Sequence, residues 1–235
     1  MYISSRVAVH IGLPLVSAAL VGGWLIGGMS TSPAAEPARN KAVAKPEKHE
    51  TLGITGTFSI CACDPETGIC GAAVASLYPA VGEVVPFARG GVGAFCTQHW
   101  LIKGAGPRAL DMLATGKLPE DVLAELVRDD PREGKRQLGI VDAKGRTASR
   151  NCFDADPAGW YWGSMAGRHY TCQGNTLTGR EVIEAMGKAY EQTKGSLADR
   201  LMAALVAGDC AGGDHRGRLS AGIRVAKPDV EGYWL

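Results

Sequence analysis

Thr57-Phe58-Ser59-Ile60-Cys61-Ala62-Cys63 runs into Asp64-Pro65-Glu66-Thr67-Gly68 and then into Ile69-Cys70-Gly71-Ala72-Ala73-Val74-Ala75-Ser76-Leu77. The first stretch is a strand pattern, and by period two Thr57, Ser59, Cys61 and Cys63 share one face. The middle stretch places Pro early and Gly late, as a tight turn requires. The third is a second strand of small residues, so the whole reads as an antiparallel hairpin. With Pro65 to Gly68 as the loop, Cys63 faces Cys70 and Thr57 faces Ser76. Residues paired this way lie about 4.5–5.5 Å apart, within reach of a disulfide.

Working outward, residues 91–96 read as a third strand. A helix over 107–115 ends at Gly116, and a second over 119–129 begins with Pro119 and two acids. Val122, Leu123, Leu126 and Val127 form its apolar face. Residues 135–141 and 146–152 make another hairpin around Asp142-Ala143-Lys144-Gly145, and a loop rich in Gly and aromatics runs to about residue 170. Helices over 179–192 and 196–207 bury Val182, Ile183, Met186 and Tyr190, and Leu197, Leu201, Ala204 and Leu205. Residues 219–225 close as a strand. Segregated runs of strands and helices favour a layered α+β fold. Two packed sheets with a helix pair on each outer face would use every element.

The chain has 235 residues, with 25 Lys+Arg against 24 Asp+Glu. A net charge of +1 provides no general field for nucleic acid, so no nucleic-acid partner is expected. After Arg6, residues 7–29 are apolar and uncharged, about the length of a bilayer span. Residues 1–35 therefore read as a signal peptide or membrane anchor, with a buried soluble helix as the other reading. Residues 36–51, rich in Ala, Pro, Lys and Glu, read as a flexible linker, leaving 52–235 as the folded domain. This predicts an exported protein, periplasmic or extracellular, with the inner membrane as partner if the segment is kept.

Seven cysteines lie between Cys61 and Cys210. In an exported domain they suggest disulfides, Cys63–Cys70 and Cys152–Cys172. Cys61, Cys63 and Cys70 with His99, His169 or His215 do not match a familiar zinc spacing, so no metal and no cofactor are expected. Gly90-Gly91-Val92-Gly93 lacks the strand–turn–helix context of a phosphate loop. Trp160-Tyr161-Trp162 reads either as packing under the long loop or as an aromatic wall for a flat ligand.

From Thr57 to about Val225 the chain resembles the DUF1028 family of prokaryotic proteins. The resemblance rests on Thr57-Phe58-Ser59-Ile60, Asp64-Pro65-Glu66-Thr67-Gly68, Val85-Pro86-Phe87-Ala88-Arg89 and Gly91-Val92-Gly93-Ala94. It continues through Thr97-Gln98, Gly106-Pro107-Arg108 and Arg136-Gln137-Leu138-Gly139-Ile140-Val141-Asp142. Gln173-Gly174-Asn175, Ala211-Gly212-Gly213-Asp214, Arg216-Gly217-Arg218 and Ser220-Ala221 complete it. The resemblance implies an Ntn-hydrolase-like αββα sandwich and no established reaction.

Ntn hydrolases use an N-terminal Thr, Ser or Cys whose side chain attacks an amide carbonyl while its own α-amine acts as base. Here the position is Thr57, and the preceding Gly56 makes a junction resembling the self-cleavage point of proteasome-type subunits. The expected catalytic set is Thr57, Ser76 opposite it, Asn175 and Asp214, with Asn175 or Gln98 as the oxyanion donor. Gln98, Arg136, Gln137, Gln173, Arg216 and Ser220 are the expected substrate-binding set. The predicted activity is hydrolysis of a small-molecule, peptide-like or cell-wall-derived amide after cleavage between Gly56 and Thr57. The alternatives are a non-catalytic binding or scaffold protein on the same fold and, more remotely, a thiol-redox or metal protein. Ntn-like domains often assemble, which leaves a homo-oligomer open.

Overall fold

The computed structural model describes residues 57–154 and 159–235. The expected signal or anchor over 1–35 and the linker over 36–51 lie outside the described residues. Strands β1 (Thr57–Asp64) and β2 (Ile69–Ser76) form the hairpin in the register read from the sequence, with Cys63 opposite Cys70 and Thr57 opposite Ser76. They lie in a five-stranded sheet with β7 (Tyr161–Gly167), β8 (Tyr170–Leu177) and β9 (Ser220–Ala226), ordered β7-β8-β1-β2-β9. A second sheet, ordered β3-β4-β5-β6, comprises β3 (Pro86–Arg89), β4 (Gly93–His99), β5 (Arg136–Asp142) and β6 (Thr147–Arg150). Each recorded strand pairing is antiparallel.

Helices α1 (Ala105–Ala114) and α2 (Pro119–Val127) cover the outer face of the second sheet. Helices α3 (Glu181–Gln192) and α4 (Leu197–Cys210) cover the outer face of the first. The result is an α+β fold of two packed sheets flanked by helices. Local chemistry fixes the helix starts. Pro119 leads α2, whose first turn carries Glu120 and Asp121. Ser196 and Asp199 cap α4 reciprocally, each side chain taking the other's backbone N–H.

Alternation along the strands then builds three layers of core. Phe58, Ile60, Tyr170 and Leu177 meet Ile183, Met186, Tyr190 and Leu201 on one outer face. Phe95, Leu138 and Ile140 meet Leu110, Leu113, Val122 and Leu126 on the other. Between the sheets the apolar residues are small: Ala72, Val74, Ala94, Val141 and the thiols of Cys61, Cys63, Cys70 and Cys96.

Four expectations need correction. Residues 86–89 form a strand that was not anticipated, because its four residues are too few to show a period. The long loop to residue 170 contains β7, whose Gly and aromatic content hides its alternation. The disulfides are absent, since Cys63, Cys70, Cys152 and Cys172 are all free thiols. Cys63 and Cys70 do face each other, with sulfurs 2.6 Å apart, but as a thiol pair. Cys172 points into the core under α3 and α4, whereas Cys152 follows the edge strand of the other sheet, so that pair belongs to different layers. Membrane anchoring, and the periplasmic or inner-membrane location drawn from it, is likewise not upheld. Among the described residues no helix is long and apolar enough to cross a membrane.

Candidate functional site

The strand registers align one inward-facing residue from each strand of the first sheet into a transverse row. Thr57 pairs with Ser76 on β2 and with Asn175 on β8, and Ser76 pairs with Ser220 on β9. On the far side, Gly163 pairs with Gly174 and Tyr161 with Leu177, so Trp162 alone stands against Asn175 and Thr176. This is a β-bulge, the device that re-aims side chains at sheet edges and sites. Thr176 takes the left-handed conformation it needs, with φ of 51°. The row therefore reads Trp162, Asn175, Thr57, Ser76, Ser220.

Thr57 is buried, and its Oγ1 lies 3.0 Å from Ser76 Oγ. Ser76 Oγ also accepts the Tyr78 N–H at 3.0 Å. Ser220 Oγ donates to Tyr78 O at 2.6 Å and accepts the Val81 N–H at 3.0 Å. Ser220 thus fixes the 78–81 turn rather than facing a ligand, and that turn in turn holds Ser76.

A layer of amides faces the row from the second sheet. Gln98 Nε2 reaches Gln137 Oε1 at 2.8 Å, Gln173 O at 3.3 Å and Thr57 O at 3.4 Å, while its Oε1 accepts the Ser59 hydroxyl at 2.5 Å. Gln173 Nε2 donates to Ser59 Oγ at 2.6 Å. The Gln173 amide lies flat over Gly139, where a Cβ would come within 2.1 Å of its oxygen. Gln137 Nε2 is shared among Gly174 O at 2.7 Å, Asn151 Oδ1 at 3.0 Å and Gly163 O at 3.2 Å. Its Oε1 accepts Asn175 Nδ2 at 2.8 Å. The side-chain donors of Gln98 and Asn175, expected to serve an oxyanion, are thus directed into this amide layer.

The charged candidates form closed pairs. Asp214 is buried and accepts Arg216 Nε at 3.1 Å, Arg216 Nη2 at 2.9 Å and the Arg216 backbone N–H at 3.0 Å. Its loop is strapped to the end of β8 by the Leu177–Asp214 bridge and the His215 N–H to Thr176 O bond of 3.2 Å. Arg136 clamps Asp130 through two hydrogen bonds, of 2.6 Å from Nε and 3.0 Å from Nη2. Its Nη1 donates to the carbonyls of Trp100 and Leu101. The Arg136 contact holds the Asp130 carboxyl below the usual carboxylate range. Arg136 therefore organises the ends of β4 and β5 instead of presenting its guanidinium to the row.

Reading the residues singly did not anticipate His99 or Trp162 in these positions. His99 ends β4 in a left-handed conformation, φ 65°, and meets the Trp162 ring edge-on at 4.7 Å. Burial, with Lys135, Arg216 and Arg136 nearby, pushes its pKa down to about 4, so the ring is neutral at ordinary pH. Trp160 stacks on His215 at 3.6 Å. Trp160 and Trp162 thus stand at the end of the row, whereas Tyr161 packs on the core under α3 and α4. The signal was present in the two residues flanking Tyr161, but without β7 there was no strand to place them on. Burial raises the Cys61 thiol well above its ordinary pKa, and the Cys70 contact raises that of Cys63, which leaves both as unreactive thiols. Among the described residues no group of three or more His, Cys, Asp or Glu is placed to hold a metal ion.

Comparison with known proteins follows the same outline. Residues 57–235 match the model of a family described as being of unknown function, DUF1028. A crystal structure of a protein from Silicibacter pomeroyi, assigned to that family, is 32% identical to this chain, with a TM-score of 0.67. The match covers 74% of this chain and 74% of that one. No curated protein matches.

Proposed function

The chain belongs to the DUF1028 family, and from that premise we propose that it is an amide hydrolase of the Ntn type with Thr57 as nucleophile. The observation that carries this reading is the position of Thr57. It is the first residue of a central strand, at the middle of a row of side chains contributed by every strand of its sheet, of which Thr57, Ser76 and Asn175 are buried.

Cleavage of the Gly56-Thr57 peptide bond by water frees the Thr57 α-amine. That amine, with an ordinary pKa of about 7.7–8.0, takes the proton of Oγ1 as the oxygen attacks the substrate carbonyl. The tetrahedral intermediate collapses as the α-ammonium returns the proton to the departing amine, leaving the acyl group on Oγ1 as an ester. Water, activated by the same amine, hydrolyses the ester and restores Thr57. Ser76 Oγ, 3.0 Å from Oγ1, orients the nucleophile. The amide layer fixes the backbone of Thr57 through Gln98. Asp214 and Arg216 brace the loop at the end of β8.

The burial of Thr57 favours a second reading, a binding protein on the same frame, if the Gly56-Thr57 bond stays intact. A β-lactone electrophile separates the two. It acylates an N-terminal Thr hydroxyl and adds its mass to the Thr57 peptide. Labelling at Thr57 that disappears in Thr57→Ala is the expected result. No label, or label on another residue, would overturn the hydrolase reading.

A further inference from the structure

Among the described residues, two buried polar atoms in the transverse row have no hydrogen-bond partner, and they are of opposite kind. Asn175 Oδ1 accepts nothing, and Trp162 Nε1 donates to nothing. Asn175 is completely buried. Leaving such a group unmet is costly, so its retention calls for a group that satisfies it.

The orientation of Asn175 is fixed by chemistry. Gln137 Nε2 faces the carbonyls of Gly163 and Gly174, so its other end must be the oxygen. That oxygen accepts from Asn175, so the atom facing it is Nδ2, and Oδ1 is directed elsewhere. Asn175 therefore offers an acceptor, the opposite of an oxyanion donor.

The bulge sets the two residues that carry the unmet atoms side by side on adjacent strands. Trp162 stands across from Asn175 and Thr176 on adjacent strands, and Gln137 ties both strands together there. Side chains so paired have Cβ atoms about 4.5–5.5 Å apart. A single ligand group with one acceptor and one donor side by side satisfies both. A carboxylate has no donor at neutral pH and an ammonium has no acceptor, whereas a primary carboxamide has an N–H and a carbonyl on the same side.

We infer that Trp162 and Asn175 form a carboxamide-binding pair, with the indole N–H donating to the ligand carbonyl and Asn175 Oδ1 accepting the ligand N–H. Thr57 lies on the next strand beyond Asn175, about 4.8 Å away in the pairing direction. The bound carboxamide is therefore a neighbour of the reacting amide rather than the reacting amide itself. The substrate class that follows is a peptide-like chain carrying a primary carboxamide beside the scissile amide. This substrate assignment rests on the hydrolase reading, while the binding pair can be measured without it.

The test is a titration of the full ¹⁵N-labelled chain with acetamide, with acetate and methylammonium as single-function controls. The Trp162 indole resonance, one of five in the chain, is identified by its loss in Trp162→Phe. Expected is a saturable shift of that resonance with acetamide alone. Asn175→Leu should weaken binding about tenfold, the loss of one buried hydrogen bond. If that variant does not fold, Trp162→Phe, followed through neighbouring backbone resonances, serves in its place with the same expected weakening. β-Lactone labelling and carboxamide binding are read separately on the wild-type protein, so the hydrolase reading and the binding pair fail separately. An unmoved indole resonance, an equal response to acetate, or unaltered binding in the variants would overturn the inference.

Discussion

The space between the two sheets has two unlike ends. At one, Ala72, Val74, Ala94, Val141 and the thiols of Cys61, Cys63, Cys70 and Cys96 pack as small apolar groups. At the other, Thr57, Ser59, Gln98, Gln137, Gln173 and Asn175 are equally buried but polar, joined by a continuous set of hydrogen bonds. Both ends use the same strands and the same alternation. The apolar end is explained by cohesion alone. A buried amide layer adds little net stability, because each bond replaces one to water, yet is costly to break. Its concentration around Thr57 indicates positioning rather than cohesion.

Substitutions can break this contrast, beginning with the outer faces, where the large apolar residues lie. Phe58→Ala, in the fully buried core under α4, is expected to cost about 3–5 kcal/mol in denaturant unfolding. A smaller loss would mean that the outer layers are not the source of stability. Acid should act at the polar end. The unfolded chain takes a proton on His99 near pH 6.5, while the native ring resists it to about pH 4. The unfolded state thus binds the extra proton, so stability is complete above pH 6.5 and falls by about 3 kcal/mol on the way to pH 4. His99→Asn should flatten this slope; an unchanged slope would remove His99 as its cause.

Gln137→Leu keeps the approximate volume but strands Asn175 Nδ2 and two backbone carbonyls, for an expected loss of about 2–3 kcal/mol. A loss below about 1 kcal/mol would show that the layer relaxes freely. Ser76→Ala removes the contact to Thr57 and the acceptor of the Tyr78 N–H, and should cost about 1 kcal/mol by the same measurement. At the apolar end, reducing agent should leave the unfolding midpoint unchanged, because Cys63 and Cys70 are thiols. A drop on reduction would restore a disulfide there.

The contrast also explains what the sequence made legible. The first hairpin has a defined turn and clear alternation, so its register followed directly, including Thr57 opposite Ser76. The four helices announced themselves through apolar faces and terminal residues such as Pro119 and Ser196. β7 did not, because Gly163 and Gly167 interrupt its pattern and it is only half buried. With β7 unseen, Trp162 could not be placed beside Asn175. Arg136 and Asp214 stood out only within motifs of the family resemblance, Arg136-Gln137-Leu138-Gly139 and Ala211-Gly212-Gly213-Asp214. Whether a guanidinium meets a ligand or its own Asp130 depends on a loop conformation that spacing does not encode.

The most direct test of Thr57 as the reacting residue is the intact mass and N-terminal sequence of the purified full-length gene product. The account predicts a chain beginning at Thr57, and an unprocessed Gly56-Thr57 bond in Thr57→Ala. Wild-type protein that retains the Gly56-Thr57 bond would contradict it, because Thr57 would then have no α-amine to serve as base.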